Sequence, residues 1–566
     1  MRQQGTFELT TEVLGALPVV NHFFHRLGLG EALHRHVPAN DRRLALEPAS
    51  VLGVVVRNLV VAHRPRYSMG EWAAAYSSAE LGLGAGDACL LNDDRVGRTL
   101  GRLFDADRAS LLTEVVVGAI RRFGIDTTQL HNDSTSVRLT GDYRSADGRS
   151  RGGKPTASVT FGYSKDRRPD LRQLVWILTV SADGAVPIAH RVESGNTVDD
   201  PTHVPTWDEL VRLVGHSDFL YVADCKLASR DAMAHISDNG GRFVTVLPRT
   251  RKEDGWFRDW LTRNTPPWAE VKRIPSRRGD EPPDVMSAYE AAQPTGEGYR
   301  IIWIHSSAKA TRDTMARAAR MQRASLALEA ISARLAGPKC RLRTRVAVET
   351  EAREVLDELG AGVYFDLSVR EERQRTYRPV GPGGPGANTR YRAEHKPRFI
   401  LTWKIRDHRV RAEAASDGCW PLVTNDAKLT PAEVLAAYRY QPNLERRHHI
   451  LKGHQSVAPV HVHDPARIEA LLCCHFFALL IGALIERQAR HSMAAEDTTA
   501  IPLYPEDRDC RAPSGARLME IFDGVQRHRI IRDGQVVQVI EPELTPLQLQ
   551  VLELLGIPAT AYREPR

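Results

Sequence analysis

Apolar residues recur at three- and four-residue steps through NHFFHRLGLGEALHRHV, PASVLGVVVRNLVVAHR and DDRVGRTLGRLFDADRASLLTEVVVGAIRRF, which is the spacing of amphipathic helices. Residues 1–125 are therefore read as a helical N-terminal domain, with Asn92 ahead of Asp93 and Asp94 capping its third long segment. A domain that binds DNA ends and a plain packing domain fit these helices about equally, and no helix-turn-helix signature stands out. From residue 126 the period changes to two. QLHNDSTSVRL alternates as a strand, SVTFGYS and QLVWILTVS follow as two more, and the last is apolar enough for a sheet interior. PTHVPTWDELVRLVG is helical, FLYVADC a buried strand, SRDAMAHISDNG helical, and RFVTVLP a strand again. The order βββ-α-β-α-β over 126–247 predicts an α/β fold, a mixed sheet flanked by helices.

Residues 248–425 have another texture and are read as an insertion that interrupts the core. They hold the tryptophan-rich GWFRDWLTRNTPPWAEV, a long Arg-rich helix at 308–336, the loop VGPGGPGAN, and the expected strands FILTWKI and HRVRAEA. The core is completed by helices in 426–490. The tail, 491–566, carries a helix at 514–523, a hairpin around RDGQ and a final helix, PLQLQVLELLGI. It is assigned to dimerisation. No repeat of fixed period is present.

Composition narrows the class. At 566 residues, 42% hydrophobic and 26% charged, the chain is long enough for several domains and is ordinary for globular protein. A formal charge of +7 is a mild bias, so its distribution matters more than its sum. Seven cysteines without a CxxC pair point away from a disulfide framework or a zinc ribbon, and towards a reducing compartment. The N-terminus has no apolar signal region. ALLCCHFFALLIGALI is too short for a bilayer span and reads as a core helix. A cytoplasmic, nucleoid-associated protein without a membrane partner is expected.

The chemistry lies in three carboxylates. Asp133 sits inside the first core strand, on the face of His131 and Thr135. Asp224 ends the strand FLYVAD, at the carboxyl edge where open α/β sheets place their ligands. Each alone could equally be a loop cap. In a sheet of RNase H-like order the first and fourth strands are neighbours, and the two aspartates would face each other. Such a pair repels unless a cation lies between, and Mg²⁺ satisfies it while leaving sites for phosphate oxygens. Glu445, in YRYQPNLERRHHILK, is the candidate for a third. Pro442 belongs in a first helical turn, and a near-continuous rod would put Tyr438, Gln441, Glu445 and Lys452 on one face.

Here the chain resembles the DDE transposases of bacterial insertion sequences. The tyrosine–arginine–glutamate–lysine signature of one branch is matched by Tyr438, Gln441, Glu445 and Lys452, with Gln441 in place of the arginine. HNDSTSV resembles the first-aspartate strand, GYSKDRRPDLRQLV the hairpin that follows it, and YVADCKLASRD the second-aspartate strand. Further likeness runs through APVHVHDPARIEALLCCHFFALLIGALIER and LYPEDRDCRAPSGARLMEIF, so the resemblance spans roughly 90–530. It implies an RNase H-like catalytic core, a β-rich insertion at 248–425, and cut-and-paste transposition. It further implies two Mg²⁺ ions (Mn²⁺ substituting) on Asp133, Asp224 and Glu445. The partners it implies are double-stranded DNA, as terminal inverted repeats and target, and a second copy of the chain in a synaptic complex. A domesticated DNA-binding relative and an RNase H-like nuclease without strand transfer are the competing readings.

Phosphate contacts are expected from Tyr438, Gln441, Lys452 and Arg446, and from the basic stretch 143–172. That stretch has eight basic residues (Arg144, Arg149, Arg151, Lys154, Lys165, Arg167, Arg168, Arg172) against Asp147, Asp166 and Asp170. SKDRRPD reads as a tight turn that aims Lys165, Arg167 and Arg168 at a duplex. Trp420 is a candidate for stacking on an unpaired base, although a packed core tryptophan explains it more simply. The histidines and cysteines of 448–475 are spaced too irregularly for a structural zinc site.

Overall fold

The computed structural model describes residues 7–39, 44–141, 143, 146–276, 279, 281–337, 340–382, 384–457 and 462–564. Arg144, named above, and His461, within the 448–475 histidines and cysteines, lie outside the described residues. The chain divides into two compact units. The first comprises Met1–Thr245 with Ala436–Arg566, and the second is Val246–Leu435.

The first unit begins with a strand where helix is expected. β1 (Phe7–Val13) pairs antiparallel with Gln526–Arg532, near the other end of the chain. The helices that follow form as their periodicity dictates. Asn92 Oδ1 accepts the Arg95 N–H at 2.9 Å and starts the helix Asp93–Asp105. Asp107 does the same for Arg108–Phe123, which ends on Gly124 with φ 57°, a left-handed conformation that glycine adopts without steric cost. The apolar run of 470–485 belongs to a helix of 31 residues, Pro465–Ala495, capped by Asp464. Among the described residues it alone is long and apolar enough to cross a membrane, yet its apolar length is buried within the unit. It packs against Pro48–Val61, Asp93–Asp105 and the sheet.

That sheet contains β2 (Gln129–Leu139), β3 (Arg172–Ser181), β4 (Pro187–Ser194), β5 (Leu220–Ala223) and β6 (Arg242–Val246), in the order β4-β3-β2-β5-β6. β2, β3 and β4 form an antiparallel meander, while β5 and β6 continue parallel to β2. It is a mixed sheet, with the helices Arg108–Phe123, Gln441–His449 and Pro465–Ala495 laid against its strands.

One expected strand is absent. SVTFGYS makes a single bridge, Thr160 with Gln173, and the third strand of the meander is β4. The reason is a close backbone crossing. A Cβ on Gly162 would lie 1.9 Å from the Gly195 carbonyl oxygen, and one on Gly195 would lie 2.0 Å from that of Gln173. Glycine permits this approach, which leaves 158–164 as a strap over the end of the meander.

The second unit also carries antiparallel strands. β7 (Ala269–Ile274), β8 (Asp284–Glu290), β9 (Arg300–Ser306) and β12 (Cys419–Thr424) lie in the order β12-β9-β8-β7. The tryptophan-rich segment packs on it: Phe257 stacks on Trp303 at 3.8 Å, and Trp260 on Tyr289 at 6.0 Å. A long hairpin, β10 (Phe365–Pro379) with β11 (Tyr391–Ile405), is rooted against the helices Ser307–Ala336 and Arg345–Glu358. HRVRAEA is not a strand but lies in the helix Asp407–Ala414. Its Arg, Ala and Glu are strong helix formers, and one valine does not outweigh them.

Candidate active site

The site is built where β2 meets β5. Their parallel register runs from Gln129↔Leu220 to Asn132↔Ala223, so the next residues along are Asp133 and Asp224. Asp133 lies within β2, opposite Leu178 of β3, and its Oδ1 accepts the Ser134 N–H at 2.8 Å. Asp224 follows β5 directly. Its Oδ1 takes the Lys226 N–H at 3.0 Å, so it does cap its loop, and its carbonyl accepts the Thr245 hydroxyl at 2.6 Å. Capping occupies one carboxylate oxygen and leaves the other available.

Burial raises the Asp133 carboxyl to about 6. The negative charges of Asp224 and Asp199 push the same way, against Lys165 and the Ser134 N–H. Lys165 is the counter-cation. From the SKDRRPD turn its Nζ comes within 3.5 Å of Asp133 Oδ1 and 3.2 Å of Asp199 Oδ2, and donates to the Ser134 carbonyl and hydroxyl at 2.7 and 2.6 Å. Burial alone would lower its pKa, but Asp133, Asp199 and Asp224 together raise it. Sequence reasoning aimed Lys165 at DNA and missed Asp199. The available signal for Asp199 was the acidic pair Asp199-Asp200 just past β4, where the sheet edge turns into a helix.

The helix Gln441–His449 supplies the remaining groups. Glu445 is exposed and has neither hydrogen bond nor ion pair among the described residues. Tyr438 connects it to the aspartates. Burial pushes this phenol up to about 12, and the charges of Asp224, Glu445 and Asp133 all add to the shift. All three carboxylates therefore lie within electrostatic reach of one hydroxyl. His448, one turn beyond Glu445, is buried with Nδ1 3.7 Å from Asp133 Oδ2. Burial, then Lys165 and Lys452, lower its pKa to about 3, so the imidazole is neutral.

The helix then widens into a π-turn, Ile450–His454, which carries Lys452. Lys452 Nζ lies 2.8 Å from Asp166 Oδ1, and Asp166 also meets Arg138. Neighbours Lys165 and Asp166 thus pair with Asp133 and Lys452 respectively.

Gln441 is not presented to a phosphate. It is 7% exposed, its Oε1 lies 2.9 Å from His131 Nδ1, and its Nε2 donates to the Asn132 carbonyl at 3.1 Å. It fixes the helix onto β2 just ahead of Asp133. Arg447, on the same helix, is buried too. It pairs with Glu486 at 3.0 Å and donates to the Gly184 and Ala185 carbonyls. Arg446 is exposed and unpaired among the described residues.

Much of the basic stretch is spent internally. Arg151 holds Asp105 and Asp464, Lys154 donates to the Asp105 and Ala106 carbonyls, and Arg149 meets Asp147. Arg168 pairs with Asp170 at 2.7 Å. Arg167, at φ 57°, is exposed without a partner among the described residues. Trp420 belongs to the second unit. It lies half-buried in β12, opposite Ile304.

All-oxygen donors suit a hard divalent cation, and burial, with Asp224 and Asp199 adding to it, makes the charged form of Asp133 costly without one. The spacing is another matter. Among the described residues no three His, Cys, Asp or Glu side chains are gathered closely enough to hold a metal ion. Asp133 feels the charge of Asp224, and Tyr438 feels both together with Glu445. The described histidines and cysteines of 448–475 form no such cluster either. His475 bonds Gln455, and His454 lies against His63.

Comparison with known proteins adds a partial match. The family described as "Domain of unknown function (DUF4277)" matches residues 9–117, the N-terminal part of the first unit, short of the aspartate strands. No curated protein matches the chain. Among solved structures, a piggyBac transposase in a synaptic complex with hairpin DNA aligns over 88% of this chain and 78% of its own. Its identity is 8% and its TM-score 0.36, too low for fold or activity to be transferred.

Proposed function

We propose that the chain is a DDE transposase that cleaves the ends of a mobile element and joins them to target DNA. The observation that carries this reading is the pairing of Asp133 with Asp224 on neighbouring parallel strands, with Tyr438 sensing both and Glu445. The order β4-β3-β2-β5-β6, antiparallel on one side of β2 and parallel on the other, supports an RNase H-like core. The signature from Tyr438 to Lys452 supports the insertion-sequence branch.

In this reading Asp133, Asp224 and Glu445 would hold Mg²⁺, which would supply Lewis acidity for an attacking hydroxyl and a leaving oxygen. The residues in hand do the rest. Tyr438, with its high pKa, stays protonated and donates a hydrogen bond to a phosphate oxygen. Lys452, released from Asp166, and the unpaired Arg167 and Arg446 neutralise flanking phosphates. Neutral His448 adds no charge beside Asp133 and keeps that wall of the site dry. Partners are duplex DNA and a second copy of the chain.

The test is Mg²⁺-dependent cleavage of DNA carrying the inverted repeats that flank the coding region. Asp133→Asn, Asp224→Asn and Glu445→Gln should each abolish cleavage while end binding persists. Cleavage by any of the three would remove that residue from the site.

A further inference from the structure

The hairpin β10–β11 changes character along its length. At its root Phe365, Val369, Phe399 and Leu401 are buried against the helices Ser307–Ala336 and Arg345–Glu358. Beyond Val369 and before Phe399 no described residue is buried, and the two strands continue as a free ribbon. At about 3.3 Å per residue, the ten residues Arg370–Pro379 project roughly 30 Å.

An unsupported two-stranded ribbon of this length is marginal in water, and its charge adds to the difficulty. Residues 370–398 contain eight basic side chains against three acidic. Arg370 is taken by Glu372 and Arg378 by Glu394. Arg373, Arg375, Arg390, Arg392, Lys396 and Arg398 have no ion pair among the described residues. Arg378 and Arg392 lie directly across the ladder from each other, a like-charge pairing that costs stability. Near the tip Tyr377 is 60% exposed and Tyr391 50%, with Arg375 over the Tyr377 ring. Charges that merely protect a strand edge from aggregation need not share one sign, nor be accompanied by exposed aromatics.

We propose that this ribbon is a duplex-DNA reader that lies in a groove, with its cations on the phosphates of both walls and its tyrosines towards the base edges. The major groove, about 12 Å wide, admits a two-stranded ribbon, and phosphates on either side relieve the Arg378–Arg392 opposition. The proposal rests on the transposase reading for the presence of DNA, but the ribbon's part in binding is separable from cleavage.

The experiment uses the full chain and a fluorescent duplex of about 20 base pairs, titrated by anisotropy over a range of salt. One variant carries Arg373→Gln, Arg375→Gln, Arg392→Gln and Lys396→Gln. A second replaces residues 373–397 with Asn-Gly, closing the hairpin as a two-residue turn. Both should bind at least tenfold more weakly, and the charge variant should lower the slope of log K against log salt by about 3 to 4. Thermal melting of the shortened variant should match the parent, because the buried root is untouched. Parental affinity and slope in both variants would overturn the proposal, as would an equal loss towards single-stranded oligonucleotide, which would reduce the ribbon to a general cation. Cleavage measured in parallel with Asp133→Asn tests the transposase reading on its own.

Discussion

Lys165 reaches back from its turn to place its ammonium 3.5 Å from Asp133 Oδ1, with Asp199 Oδ2 on its other side at 3.2 Å. A lysine thus partly neutralises the two carboxylates, while Asp224 adds a third charge that the ammonium feels. The group expected to face phosphate is, in this state, turned inward onto the acids.

This arrangement makes stability depend on pH in a definite direction. The folded-state pKa of Asp133 is about 6, above the ~3.9 of an unfolded aspartate. The folded chain therefore holds this proton more tightly, and stability is lost as pH rises through about 6. At pH 7.5 Asp133→Asn should raise stability by ~2 kcal/mol, because Asp199 still holds Lys165. At pH 4 the gain should vanish. Lys165→Gln should have the opposite sign, destabilising at pH 7.5 and much less at pH 5. Chemical denaturation at the three pH values measures both.

Glu445 should separate function from folding. It is exposed and unpaired among the described residues, so Glu445→Gln should change stability by less than about 0.5 kcal/mol while cleavage disappears. A large shift in the melting midpoint would show that Glu445 has a structural partner instead.

Gln441 should behave in the reverse manner. Removing its amide leaves His131 Nδ1 without its partner and takes one hydrogen bond from the Asn132 carbonyl in a buried layer, at a cost of about 1–3 kcal/mol. Gln441→Ala should therefore lower stability and leave the salt dependence of DNA binding unchanged. A shallower salt slope would restore it as a phosphate contact.

Arg447 and Glu486, each 3% exposed, tie the glutamate helix to Pro465–Ala495. Breaking a buried pair by removing one partner costs about 3–5 kcal/mol. Arg447→Met should therefore melt well below the parent. A melting point near the parent's would show the pair to be dispensable.

What the sequence disclosed follows from how local each signal is. β2 and the strand that ends in Asp224 were legible because alternation and an apolar run are properties of a few adjacent residues. The cap on Asp93–Asp105 was legible for the same reason, with donor and acceptor three residues apart. β1 was not: it is a strand by virtue of Gln526–Arg532, more than five hundred residues away. SVTFGYS has the composition of a strand, and only the approach of Gly162 to Gly195 turns it into a strap. In the site, the kind of residue was readable but its partner was not. The spacing from Tyr438 to Lys452 gave a helical face, yet neither Gln441 facing β2 nor Lys165 turning onto Asp133 follows from spacing, since both depend on burial against strands more than two hundred residues distant or on a turn at positive φ.

The account depends on Asp133, Asp224 and Glu445 sharing metal, and iron-directed cleavage of the polypeptide tests that without any DNA substrate. With added hydrogen peroxide and ascorbate, Fe²⁺ placed at a Mg²⁺ site is oxidised to Fe³⁺ with release of hydroxyl radical, which cuts the backbone beside its ligands. The account predicts cuts near residues 133, 224 and 445, competed by Mg²⁺ and abolished together by Asp133→Asn. Cuts near 133 and 224 without one near 445, or none at any of the three, would contradict it.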